Sequence, residues 1–397
     1  MAPGFYVTAP RRPNPPLDSA GHRGYVLVPG GRRVQTRPNV VQVVRRAEAV
    51  PRQEEPWEGI RRIVVARTDA LGPLVLALPA IAALRDAYPS AWIALLARPT
   101  TAPLARLVVG VDQVIADTGE SNRLSAEMRA FRADLFVSMS TGGRIPWAAA
   151  TARVRHRIGP GHRVYSALFE RRVGERRASE ETHEVEQALS YALAAGASGG
   201  PVRFPLAIPL PAVESAKVWL AEHGIRRPFV VLRPESGPAA SPPWPPSHFV
   251  RLATLLAAEG ANVVFSVGPG DEAAPRLLDA ADLAVRRLPR FTGDLATLPA
   301  FVQAASLVVG NGAGAVHLAA ALGTPTLAIQ APWSSCGPAR WGPYASNGWS
   351  LVVDHPEAAQ WGARERGSRG RDLMSTISPA AALSCALAIL DGRTPSL

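Results

Sequence analysis

Lysine is almost missing from this chain. Lys217 is the only one among 397 residues, so the formal net charge of +11 is carried by arginine. An Ala/Arg/Pro/Gly-rich chain with so little lysine reads as a compositional bias of its genome. Charge is therefore no argument for a nucleic-acid partner, and none is expected. It remains compatible with an anionic substrate or an anionic membrane surface. Cysteine is scarce too: Cys336 and Cys385 are too few for a disulfide framework or a four-thiolate zinc site. Aromatic residues make up only 6%, so the cores must be built from Ala, Val, Leu and Ile. No apolar run approaches the roughly 20 residues of a membrane span. Met1–Pro16 is rich in Pro and Arg, unlike a signal peptide. A cytoplasmic, soluble protein is the expectation. There is no Walker A pattern, no Gly-x-Ser-x-Gly elbow and no metal-ligand cluster, so the expected chemistry uses neither metal nor cofactor.

With 47% hydrophobic residues, the chain has material for real cores. Its length suggests two domains of about 100–200 residues each. Residues 1–60 read as a Pro/Arg-rich, mostly disordered extension with no sustained period. From Arg61 apolar strands alternate with helices: Ile63–Ala66, a helix to about Tyr88, Trp92–Ala97, Gln113–Ala116, Asp134–Met139 and a closing helix His183–Ala195. Pro205–Pro211 looks like a connection. The alternation then restarts with Phe229–Leu232, Asn262–Val267, Leu307–Gly310 and Thr324–Ile329, and it ends in a helix, Pro379–Leu390. This is the pattern of βαβ units with parallel sheets. The fold class is thus α/β, with Rossmann-like domains over 61–208 and 209–397 and the terminal helix free to return to the first. In such sheets ligands sit beyond the carboxyl ends of the strands.

Five strand-to-helix segments follow from that rule. Val308–Ala320 ends a strand, turns through Asn311, Gly312, Ala313 and Gly314, and starts a helix holding His317. Open amides at a helix N-terminus attract phosphate, although a tight βα turn with His317 in the core would look the same. Arg67–Pro73 carries Asp69, which reads either as a general base or as the cap of the following helix. Leu232–Gly237 offers Arg233 and Ser236 to phosphate oxygens. The nearby Trp244 reads as a packing residue. Asp271 and Glu272 suit a helix start electrostatically and are assigned a structural role. Ala331–Tyr344 is a long Gly/Pro/Trp loop of binding length that offers no acid–base pair.

Taken in order, these pieces resemble glycosyltransferase family 9, the ADP-heptose:lipopolysaccharide heptosyltransferases. Three stretches carry the resemblance: Ile63-Val64-Val65 through Leu71-Gly72-Pro73 to Leu78-Pro79-Ala80; Trp244-Pro245; and Phe291-Thr292-Gly293 with Gly310-Asn311, Gly314, His317-Leu318-Ala319-Ala320 and Gly323-Thr324-Pro325. Gly342-Pro343-Tyr344 fits a late family motif. The likeness spans about residues 61–355.

The resemblance implies a GT-B architecture with the donor, a nucleotide-diphosphate sugar, held by the second domain. A glycan or lipid-linked acceptor, such as a lipopolysaccharide core at the inner face of the cytoplasmic membrane, would then face the Leu71-Gly72-Pro73 loop of the first. It also implies inverting, metal-independent transfer, with a carboxylate base in the first loop. Three positions depart from the family. Pro73 stands where the base aspartate follows Leu-Gly, Pro242 where a lysine precedes Trp-Pro, and Gly312 where an aspartate follows Asn. With these changes, Asp69, one helical turn earlier, is the remaining candidate base. Asn311–Gly314 with His317, Ser236 and Arg233 are the candidates for the diphosphate. The alternative is a catalytically impaired relative that binds a nucleotide sugar.

Overall fold

The computed structural model describes residues 4–8 and 54–395, apart from 141, 175–181, 235–241, 269–275, 277, 280–282, 313, 334, 356–360 and 362. Ser236, Ala313, Asp271, Glu272 and most of residues 1–60 lie outside the described residues.

The first domain holds six parallel strands: β2 (Arg62–Ala66), β3 (Trp92–Ala97), β4 (Gln113–Ala116), β5 (Leu135–Ser138), β6 (His156–Pro160) and β7 (Arg171–Val173). Their order is β4-β3-β2-β5-β6-β7. The second domain holds β8 (Phe229–Arg233), β9 (Asn262–Ser266), β10 (Arg290–Phe291), β11 (Leu307–Gly310), β12 (Thr326–Gln330) and β13 (Gly348–Asp354). Read from β10, its parallel order is β10-β9-β8-β11-β12-β13. Both sheets therefore follow one doubly wound scheme, in which the chain moves outward in one direction, returns to the centre and moves outward in the other. The reversal falls between β2 and β5 in one sheet and between β8 and β11 in the other. That reversal point is where such sheets open a crevice for ligand. These are two Rossmann-like domains in a GT-B arrangement, the fold class expected.

The central strands are continuous apolar runs because helices cover both sheet faces. Ile63–Ala66 and Val230–Leu232 are fully buried. Helix Leu71–Ala87 is apolar on nearly every side, the pattern of a helix enclosed by the core. It packs against helix Glu184–Ala194 and, across the domain boundary, against helix Gly314–Ala321. Side chains of both domains join in one apolar cluster, from Leu74 and Leu78 to Ala315 and Leu318.

Several elements differ from the sequence reading. Residues 4–8 form β1 (Gly4–Thr8), which pairs antiparallel with β13, Gly4 opposite Asp354 and Thr8 opposite Ser350. It covers what would otherwise be an open sheet edge. The stretch just before β2 is also ordered: Trp57 stacks on His156 and lies under Arg171, whose guanidinium is 3.6 Å from the ring centre. The terminal helix does not return to the first domain. It buries Ala382, Cys385 and Ala386 in the second core beside Leu252 and Leu256. Trp244 is the packing residue its context suggested, fully buried with its indole N–H donating to the Ile377 carbonyl at 2.8 Å.

A candidate sugar-transfer site between the domains

Each central strand delivers its loop to the same place. β2 runs into Arg67–Ala70, β5 into Met139-Ser140 and β11 into Asn311-Gly312, while β8 ends on Arg233. The first two are tied together, because Thr68 N–H donates to Ser140 Oγ at 2.6 Å and Arg67 Nη1 donates to the Met139 carbonyl. Across the domain boundary the backbones nearly touch. A Cβ on Gly72 would lie 3.0 Å from the His317 ring, and one on Gly314 would lie 2.7 Å from the Leu71 side chain. Only glycine lets these two helix starts approach so closely.

His317 is 2% exposed, in the first turn of helix Gly314–Ala321. Burial pushes its pKa down to about 4. The Gly312 backbone and the Glu184 charge work weakly in the other direction. The ring is therefore neutral at physiological pH. Its Nδ1 has no hydrogen-bond partner of acceptable geometry; the Gly312 backbone is close enough to influence the ring without forming a proper bond. A buried ring nitrogen left open at a helix start is poised for a ligand. The shift also has a stability consequence. The unfolded chain takes up a proton near pH 6.5, but the folded one resists until about pH 4, so stability is full above 6.5 and is lost as pH falls through that window. We expect His317→Leu to remove about 3 kcal/mol of this acid sensitivity, read as a flatter dependence of urea midpoint on pH.

Asp69 is about a quarter exposed and faces Arg67, its Oδ2 3.2 Å from Nε. Burial raises its pKa; Arg67 opposes this, Glu184 adds to it and Arg98 opposes it. Its side chain does not cap the helix that follows: the N-cap position is Ala70, which makes no side-chain bond. Of the two sequence readings for Asp69, the capping one is set aside.

Glu184 was not singled out in the sequence, because an acid at a helix start needs no ligand to explain it. Its Oε1 accepts from Arg67 Nη2 at 2.7 Å, and its Oε2 is 3.3 Å from Arg340 Nη2 of the second domain. Burial opposes its ionisation, but the two guanidiniums overcome that and hold its pKa below the usual carboxylate range. Its charge reaches both Asp69 and His317. Next to it, His183 Nδ1 accepts from Val185 N–H at 3.1 Å. That leaves the Nε2 proton to donate to the Gly342 carbonyl at 2.9 Å, a second tie between the domains.

The other expected residues divide. Asn311 is buried with its Oδ1 accepting from Trp244 N–H at 3.0 Å, so this side-chain oxygen braces the loop. Gly312 has φ +66°, and a Cβ there would sit 2.8 Å from the Gln330 amide nitrogen. Gln330 fills the space beside Gly312. It donates to the Trp341 carbonyl at 2.9 Å and accepts from Ser350 at 2.8 Å. Arg233 is buried at the end of β8 and turns toward β9, with Nη1 3.4 Å from Ser266 Oγ. Leu71, Gly72 and Pro73 form the first turn of their helix, directly against Gly314 and His317. Pro73 has no N–H, and in a first turn none is needed. Among the described residues no three His, Cys, Asp or Glu side chains are grouped to hold a metal, and no single helix is long and apolar enough to cross a membrane.

Known proteins share this fold. The Salmonella typhimurium lipopolysaccharide heptosyltransferase 2 is 27% identical over 292 residues, 69% of this chain and 83% of that one. The glycosyl transferase family 9 structure from Veillonella parvula superposes with a TM-score of 0.69 at 18% identity, covering 84% of this chain and 97% of that one. The Escherichia coli ADP-heptose lipopolysaccharide heptosyltransferase II structure gives 0.67 at 20% identity, covering 84% and 99%. The sequence model of glycosyltransferase family 9 (heptosyltransferase) matches residues 123–366, more than half of the chain, and the protein is a glycosyltransferase belonging to that family.

Proposed function

We propose that the protein transfers a sugar from a nucleotide-diphosphate donor of the ADP-heptose type to a glycan acceptor such as a lipopolysaccharide core. The observation that carries this reading is the meeting of the two reversal points. The Asp69 loop of 61–208 and the His317 helix start of 209–397 abut through Gly72 and Gly314. The relatives named above act in heptose transfer, which supplies the donor class.

In this reading the donor diphosphate lies at the Asn311–Gly314 turn, met by backbone amides and the open Nδ1 of His317. Arg233 lies at the end of a neighbouring strand. Asp69 takes the proton of the acceptor hydroxyl as its oxygen bonds to the anomeric carbon. The bond from that carbon to the diphosphate oxygen breaks, the nucleoside diphosphate leaves, and the anomeric centre inverts. A raised carboxylate pKa improves Asp69 as a proton acceptor. Charge on the leaving group is stabilised by fixed dipoles and arginines, so no step is assigned to a metal or cofactor. In this reading the protein works in the cytoplasm, at the inner face of the membrane that carries the acceptor.

A second reading is favoured by Pro73, Pro242 and Gly312, which stand where the family carries its base, a lysine and an acid: a relative that binds donor without turnover. Calorimetry with ADP, followed by an ADP-heptose hydrolysis and transfer assay, separates them. Binding with product formation is the expected result. Binding without product supports the second reading. If ADP, UDP and GDP all fail to bind, both fall.

A further inference from the structure

The first domain carries an apolar and basic rim beside the Asp69 loop that the transfer chemistry does not use. Two of the chain's exposed large hydrophobic side chains sit there, Trp147 at 59% and Val164 fully exposed. Trp147 lies in helix Arg144–Thr151, which begins just beyond the carboxyl end of β5. That strand end leads into Ser140, the residue bonded to Thr68. Val164 opens the short helix Val164–Leu168, just beyond the carboxyl end of β6. The two segments are held together: Gly142 N–H donates to Tyr165 Oη at 3.0 Å, and Gly143 lies so close to the Tyr165 ring that a Cβ would reach 2.9 Å. Trp147 is one helical turn beyond Gly143, to whose carbonyl its own N–H donates. Trp147 and Val164 therefore flank one junction on the edge of the acceptor side.

Charge around this junction is mostly positive, although Arg144 of the Trp147 helix is paired with Asp117. Residues 142–174 hold seven arginines and a single acid, Glu170. Glu170 is engaged by His156 at 2.8 Å. Arg163, next to Val164, is exposed, and so is Arg172. Neither has an ion-pair partner among the described residues. Arg172 belongs to the same end, because its Cβ lies 3.3 Å from where a Cβ on Gly161 would stand. An indole and an aliphatic side chain in water, beside two guanidiniums with no ion-pair partner among the described residues, match the layered chemistry of a membrane surface, apolar below and anionic above.

We propose that this rim docks the protein on an anionic lipid bilayer, Trp147 and Val164 entering the interfacial layer and Arg163 and Arg172 meeting the headgroups. The proposal rests on the sugar-transfer reading for its purpose, since it brings the Asp69 loop to an acceptor held in a membrane. It stands on its own geometry for its test. A nucleic acid would also meet the arginines, but it gives Val164 no apolar layer to enter.

The full chain is sedimented with vesicles of phosphatidylcholine alone and of phosphatidylcholine with phosphatidylglycerol, at two salt concentrations. Binding is expected only to the anionic vesicles. Arg163→Ala with Arg172→Ala should weaken it about 25-fold, from about fivefold per arginine. Trp147→Ser with Val164→Ser should weaken it as well while leaving the salt dependence intact. ADP binding and the thermal midpoint should be unchanged in both pairs, which excludes misfolding. Wild-type protein that ignores anionic vesicles would overturn the proposal. So would variants that sediment like wild type, which would assign binding to the Arg-rich N-terminal residues. Loss of single-stranded DNA binding parallel to vesicle binding in the Trp147/Val164 pair would overturn it in favour of a nucleic-acid face. Vesicle binding without ADP binding would keep the docking rim and remove the transfer reading.

Discussion

Asp69→Asn is expected to lower sugar transfer by about 10²–10⁴-fold, the usual contribution of a general base. The substitution keeps the shape of the side chain and removes its ability to hold a proton. Donor binding should survive, because Asp69 belongs to the acceptor loop. The pH profile gives a second and independent sign. Burial raises the pKa of Asp69 above its ordinary 3.8. The wild-type rate should therefore fall as acid is added through a midpoint above that value, and in the asparagine variant this acid limb should vanish. The competing carboxylate is Glu184, but both of its oxygens are occupied by Arg67 and Arg340, and its pKa moves the other way. An acid limb that persists unchanged in Asp69→Asn, with full turnover, would remove Asp69 from the mechanism.

Glu184→Gln is expected to be the most destabilising single change in the interdomain region. Breaking one partner out of a buried ion pair costs about 3–5 kcal/mol, and Asp69, 3.2 Å from Arg67 Nε and a quarter exposed, compensates the freed guanidinium only in part. Arg67 and Glu184 have side-chain exposures of only 7% and 8%, so water screens the pair little. The loss should appear as a lower urea midpoint. Removing Glu184 also frees Arg340, one of the ties between the two domains. Limited proteolysis should then cut the interdomain segment near residue 205 faster than in wild type. The companion Arg67→Met with Glu184→Leu should recover much of the stability, since the charge left behind is removed as well. Recovery of stability without recovery of transfer would show that the network also sets the geometry around Asp69.

The alternation of strands and helices was legible because the central strands are unbroken apolar runs such as Ile63-Val64-Val65-Ala66 and Leu307-Val308-Val309. β6, β7, β10 and β13 were not. β6 reads His156-Arg157-Ile158-Gly159-Pro160, with four of its five residues polar or conformationally special, so it carries no strand period. β1 is visible only through its pairing with β13. The Asp69 loop and the Asn311–Gly314 turn were each legible as strand-to-helix junctions. Their meeting was not, since it depends on Gly72 and Gly314 facing one another across 242 positions of chain. Glu184 was hidden for a related reason. Locally it is an ordinary acid at a helix start, and its importance comes from Arg67, 117 residues earlier, and Arg340, 156 residues later.

Residue order alone determined the class of fold, the places where each strand hands over to a helix, and the likeness to a family of sugar transferases. Those are local properties, set by apolar periodicity and by glycine and proline at turns. Tertiary structure alone decided what packs against Gly312 and which charges share a site. Gln330 comes from a different strand to fill the space at Gly312. A buried carboxylate joins the domains through guanidiniums from both sides. Electrostatic interactions in a low-dielectric interior depend on distance in space, and the chain order does not contain that distance until the two sheets have closed on each other.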